Sequence, residues 1–342
     1  MMPTKTTRGW LLLVLDLLWS CLIISPLVVA FWRGCWNLHD WYDPQVSPPA
    51  APWMEVAKRA AFCGILATLE LSKFYLGEWL MKRHAAVQCL GGRLFIAMKG
   101  MVMVAYLRNI WITWRHFEAN TDIFLVILLT VILSRMSKNL IYSPLSICLD
   151  SHEATFKDTT ILRIPRFGPP TTFPLGAAGM YLVDIFLSNF GMRQIFAMSW
   201  VAGFSVVDTY LPSTTSLLLG YTLALLTLLL DQLLQKLRSC TTIAPLLWTA
   251  DLTVTLVALS SSLLVFRGLW NLQDGLLGDL VSVLLSLTIL SLLGVSNCLA
   301  TDRMSWEWFQ PVEGIVNIDY WGQEQGEGKE DGGEYQLIAG EP

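Results

Sequence analysis

Four ionisable side chains, Glu70, Lys73, Lys99 and Asp184, fall inside stretches otherwise apolar enough to cross a membrane. A charge at the bilayer centre costs ~2.5–3.5 kcal/mol on insertion scales, so each must face protein or water. Two kinds of chemistry fit. Strung along a path, these groups would hold an ion or a polar substrate. Paired, Lys99 with Asp184 and Glu70 with Lys73, they would lock helices together. Glu70 and Lys73 are i,i+3 and share one helix face. Opposite charges are present in equal number, and no chain of unpaired acids suggests a proton relay.

A second constellation is written twice. Arg33-Gly34-Cys35-Trp36-Asn37-Leu38-His39-Asp40 and Arg267-Gly268-Leu269-Trp270-Asn271-Leu272-Gln273-Asp274 agree at six of eight positions, each behind an apolar run. Weaker copies are Arg108-Asn109-Ile110-Trp111 and Arg193-Gln194-Ile195-Phe196. As chemistry, two pseudo-symmetric copies would build an outer ligand site. As structure, the phrase is a helix terminus. Its glycine permits a turn, its tryptophan anchors in the interface, and its arginine is held by the aspartate of the same copy.

Little else suggests chemistry. His39, His84, His116 and His152 are scattered without metal-ligand spacing, and the seven cysteines form no CxxC pair. No GxSxG, HExxH, Walker or GxGxxG pattern occurs. No enzyme activity, cofactor, metal or nucleic-acid partner is expected. Tyr335-Gln336-Leu337-Ile338 has the aromatic-x-x-aliphatic form that trafficking adaptors bind, with Tyr335 and Ile338 as its anchors.

The elements that must position these residues follow from composition. The chain has 342 residues, 54% of them hydrophobic, 15% charged and fifteen of them tryptophan, with mean hydropathy +0.51. Soluble domains carry about 25% charge. This is the composition of an all-α polytopic membrane protein in the lipid bilayer. A span needs about 20 apolar residues, and eight windows qualify: about 10–32, 57–80, 92–114, 121–142, 176–198, 214–235, 246–267 and 276–298. The first is read as a retained span, because its apolar stretch is longer than a signal peptide requires.

Lysine and arginine set sidedness. Fourteen lie on one side of this topology and seven on the other, which puts both termini in the cytoplasm. Every odd-numbered span then ends in Arg-x-x-aromatic at the outer boundary. The expected architecture is a domain over 1–300 of four pseudo-repeated helical hairpins, about 8–81, 91–143, 175–236 and 245–300. Residues 301–342 form an acidic tail of net −8, too charged to fold. Lys99 and Asp184 each precede their arginine by nine residues, about 13.5 Å of helix, and so occupy equivalent midplane positions.

Eight spans, cytoplasmic termini and the pair Phe31-Trp32-Arg33-Gly34-Cys35-Trp36 and Phe266-Arg267-Gly268-Leu269-Trp270 resemble the fuseless family of invertebrate eight-pass membrane proteins, over about residues 8–300. The resemblance implies a presynaptic plasma-membrane protein that supports localisation of voltage-gated calcium channels and synaptic vesicle release, with calcium-channel or active-zone proteins as partners. It implies no catalytic or ligand residue. The alternative from the residues themselves is a secondary transporter or channel with a midplane polar site near Lys99 and Asp184, beside broken helices.

Overall fold

The computed structural model describes residues 15, 18–43, 52–115, 191, 193–240 and 243–299, and among these every regular element is a helix. In chain order they are α1 (Ser20–Tyr42), α2 (Pro52–Met81), α3 (Ala85–Arg115), α4 (Arg193–Tyr210), α5 (Ser213–Cys240), α6 (Ala244–Leu272) and α7 (Asp279–Leu292), followed by a 3-10 turn, Ser296–Leu299. Among the described residues, α1, α3 and most of α6 are long and apolar enough to cross a membrane. A fourth is α2, if its two segments, which meet at 43° between Lys73 and Tyr75, count as one span. The apolar stretches Ser213–Thr227 and Asp279–Leu292 are shorter. The window 121–142, most of 176–198 and the tail lie outside the described residues.

α1 opens with a π-turn, Ser20–Ile24, whose cause is Pro26. Proline has no N–H and its ring excludes the carbonyl four residues back, so the ladder slips and the Ser25 N–H reaches Ser20 O. The Ser25 hydroxyl donates to the same carbonyl at 2.8 Å. Such insertions shift helical register without ending the helix.

Four helices form a closed ring. α1 packs against α3 and α6, and α4 packs against the same two. Outside the ring α2 lies on α3, α5 on α6, and α7 on α1. Lipid tails are as apolar as leucine, so close packing and buried hydrogen bonds must hold such helices. A Cβ on Gly34 would meet Asp279 O at 2.6 Å and Val283 Cγ2 at 2.8 Å, and one on Gly268 would meet the Leu217 backbone at 2.9 Å. Ser216 Oγ donates to Leu264 O at 2.9 Å and Ser261 Oγ to Gly220 O at 2.8 Å, tying α5 to α6.

These contacts correct two expectations about the doubled phrase. Gly34 and Gly268 open no turn; both lie within helices, where they let a neighbour approach. The positive-φ glycines are Gly275 and Gly294. Nor does the arginine end its helix. α1 continues past Arg33 to Tyr42, α3 past Arg108 to Arg115, α4 past Arg193 to Tyr210 and α6 past Arg267 to Leu272. The residues after each arginine are core-forming, so the helix has no reason to stop there.

Candidate functional site

At the end of the ring where α1, α3 and α6 finish, the motif tryptophans face one another. Trp36 meets Trp111 and Trp270 edge-on, each with ring centroids 5.7 Å apart. Trp111 meets Phe204 at 5.2 Å, Phe204 meets Phe266 at 5.8 Å, and Phe266 stacks below Trp270 at 5.7 Å. This circuit visits all four ring helices. One turn below, Trp32 and Trp200 both abut Phe266, at 5.8 and 4.8 Å. Two turns below, Val29, Val104 and Ala197 belong to the same buried core. Edge-to-face pairs add about 0.5–1.5 kcal/mol each beyond burial. The tryptophans therefore pack against one another across the ring, partly buried against its core.

The arginines bind across copies. Arg33 Nη2 lies 2.9 Å from Asp274 Oδ1, Arg108 Nε donates to Asp40 Oδ1 at 2.8 Å, and Arg267 Nε donates to Asp208 Oδ1 at 2.6 Å. The expected pairing within a copy fails for a geometric reason. In an unbroken helix seven residues rise about 10.5 Å, so Arg33 cannot reach Asp40, nor Arg267 reach Asp274. Each finds the aspartate of an adjacent ring helix or of the turn that follows it. Arg33 and Arg108 are buried at 4% exposure, which makes these links more than surface pairs.

Asp208 follows no arginine of its own and is not marked by the arginine motif. The shared signal is aromatic-x3-aromatic-x3-Asp: Trp32, Trp36, Asp40; Phe266, Trp270, Asp274; and Trp200, Phe204, Asp208. In α4 the arginine of this frame is replaced by Val201, so Arg193-Gln194-Ile195-Phe196 is out of register with the ring. Lys99 precedes Trp111 by twelve residues, and twelve before Phe204 is position 192. Asp184 itself lies outside the described residues, as do Tyr335 and Ile338.

Lys73 and Lys99 share one carboxylate. Glu70, 2% exposed, lies with Oε2 2.8 Å from Lys73 Nζ and with Oε1 in an ion pair with Lys99 Nζ. The i,i+3 pair read from sequence is present, and Lys99 adds a link from α3 to α2. The α2 bend falls immediately after Lys73. An apolar cleft between α5 and α6 does not reach this cluster.

A third polar group joins the outer ends of α1, α2 and α3. Lys58 Nζ donates to Asp43 Oδ2 at 2.8 Å and to Glu55 Oε1 at 3.2 Å, and Asn109 Nδ2 donates to Glu55 Oε2 at 2.6 Å. Arg108 Nη2 donates to Asp43 O at 2.6 Å. Partial burial pushes the Asp43 carboxyl up, but the Lys58 hydrogen bond and the Lys58 and Arg108 charges outweigh it and hold the pKa below the usual range. Asn37 Nδ2 donates to Asp279 Oδ1 at 2.8 Å, fastening α7 to α1. Among the described residues no group of three or more His, Cys, Asp or Glu could hold a metal ion. Among the described residues most of the polar contacts at this end join one helix to another.

No curated protein and no solved structure matches the chain in comparison. The Fuseless family does, over residues 11–300, a span that takes in the aromatic ring, the arginine–aspartate links and the Glu70 cluster; the chain belongs to the Fuseless family.

Proposed function

We propose that this membrane protein is a non-enzymatic organiser of other membrane proteins, resident in the presynaptic plasma membrane, where it supports calcium-channel localisation and synaptic vesicle release. The biological setting is the one that the resemblance to the Fuseless family implies. The observation that carries the mechanistic half is the filled axis. A transporter or channel built on a four-helix ring would run its path down the centre, and here that centre holds Trp36, Trp111, Phe204, Phe266 and Trp270. A bundle filled in this way among the described residues fits a protein that offers surfaces to partners better than one with a path down the ring. Proximity labelling from the tagged protein in neurons tests the reading. Enrichment of voltage-gated calcium channels and active-zone proteins is expected, and their absence overturns it.

The architecture proposed with this function is eight spans in four repeated units, termini in the cytoplasm. Its support is cyclic: Arg33 of α1 reaches the turn after α6, Arg267 of α6 reaches α4, and Arg108 of α3 reaches α1. The fourth link, from α4 to α3, would join positions 201 and 115, where valine and arginine stand in place of arginine and aspartate. Both ends of that link are gone together. Glycosylation acceptors inserted in 41–54 and 150–175 test the sidedness; modification only in the first is expected.

One observation favours the second reading, a transporter or channel. Broken helices beside buried charge are how transporters expose backbone to an ion, and α2 bends next to Glu70, Lys73 and Lys99. A substrate-dependent flux in proteoliposomes that Glu70→Gln abolishes would favour it over the organiser.

A further inference from the structure

α2 and α3 are joined by the short turn Lys82-Arg83-His84, whose backbone is held from both sides. Gln88 Nε2 donates to Met81 O at 3.1 Å and to Arg83 O at 2.9 Å, and the Arg83 N–H reaches Leu80 O at 2.9 Å. Leu80 presses on α3 where Gly91 leaves room; a Cβ there would meet Leu80 Cδ2 at 2.6 Å. Arg93, two residues on, lies level with the last turn of α2. Three cations therefore gather at this end, Lys82 and Arg83 exposed and Arg93 half-buried. Arg83 sits over the exposed Trp79 ring, 4.5 Å from its centroid, and a guanidinium stacked in this way still presents its N–H edge. Among the described residues none of the three is in an ion pair. The nearest acid along the chain is Glu78, itself exposed.

The matching charge stands in the chain's own tail. Glu324, Glu327, Glu330, Asp331 and Glu334, with Lys329 among them, give net −4 within eleven residues. The bundle also ends within reach of the turn. Trp32 Nε1 donates to Leu299 O at 3.2 Å, and a Cβ on Gly100 of α3 would meet the same carbonyl at 3.2 Å. Gly100 is sixteen residues beyond His84, about 24 Å of helix. The 25 residues from Leu299 to Glu324 can extend to roughly 80 Å, so the connection does not limit contact. The proposed sidedness, on which this step rests, puts turn and tail together in the cytoplasm. We infer that the acidic run 324–334 docks on the patch of Lys82, Arg83 and Arg93.

Crosslinking reads the contact. The full chain carrying Cys148→Ser, Cys240→Ser and Gly332→Cys keeps the exposed native Cys89, five residues past His84, beside the patch. In phosphatidylcholine nanodiscs a short bis-maleimide should join Cys89 to position 332. Lys82→Gln, Arg83→Gln and Arg93→Gln together should slow that reaction about tenfold, the combined worth of three exposed ion pairs. Glu324→Gln, Glu327→Gln, Glu330→Gln and Asp331→Asn together should slow it as much without touching the bundle. Salt at about 1 M, which screens charges beyond ~3 Å, should do the same. One rate in all four conditions overturns the inference. So does the slow rate in the chain with its charges intact when the discs contain phosphatidylserine, which would give the patch to a lipid surface. An impermeant maleimide on intact cells tests the sidedness by itself. Labelling of only one of the two positions refutes the shared cytoplasmic side, whereas protection of both with a crosslink indifferent to charge refutes the docking alone.

Discussion

Removing Asp274 should expose the arrangement of the arginine–aspartate links. Arg33 is 4% exposed and its Nη2 lies 2.9 Å from Asp274 Oδ1, while the Asp274 side chain is 78% exposed. Arginine stays charged at any working pH, so Asp274→Ala leaves a buried guanidinium without its carboxylate. For a fully buried pair that loss is about 3–5 kcal/mol. Here the aspartate is hydrated and pays little to be there, so the effect should fall to the ~2 kcal/mol of a charged hydrogen bond. At roughly 2–4 °C per kcal/mol for large domains, Tm of the purified protein should fall by about 4–8 °C. A double-mutant cycle makes the result specific. Arg33→Met and Asp274→Ala should couple by ~1–2 kcal/mol, whereas Arg33→Met and Asp40→Ala should add within about 0.5 kcal/mol. Coupling of Arg33 to Asp40, with none to Asp274, would refute cross-copy pairing and restore the pairing within each phrase.

Glu70→Ala removes the carboxylate that Lys73 and Lys99 share and should cost several kcal/mol, read as loss of the monodisperse peak in gel filtration. Gly34→Ala must push the Asp279 carbonyl and Val283 away and should cost ~1–3 kcal/mol in thermal unfolding. Gly64→Ala has open space in mid-helix and should stabilise by up to ~1 kcal/mol. The Asp43 carboxyl is held below its usual range, so its contribution is present above the unfolded pKa of about 4 and lost as pH falls through the lower folded value. Melting curves from pH 7 to 3 should show an acid-side loss of Tm that shrinks in Lys58→Met.

Several of these features can be read from residues alone. The doubled phrase marks α1 and α6, and i,i+3 spacing gives the Glu70–Lys73 pair. Helix ends were misplaced because arginine beside tryptophan is common at a membrane interface, and composition cannot distinguish an interface residue from one facing a ring of helices. Asp208 carries no arginine signal because Val201 stands at the arginine position; the aromatic spacing of four through Trp200 and Phe204 is what marks it. The Arg33–Asp274 link spans most of the chain, and no local pattern reports a contact of that separation. Lys99 pairs with Glu70 on α2, a contact between two helices that spacing within either helix does not report.

The central claim is that the ring is sealed along its axis, and thiol accessibility tests it directly. Val104 is fully buried on α3, two helical turns below Trp111. With Val104→Cys added to a chain that keeps Cys240 as its only other cysteine, a charged thiol reagent in detergent should modify Cys240 and leave position 104 untouched. Modification of position 104 as fast as Cys240 would mean that water reaches the axis, and would contradict the sealed ring.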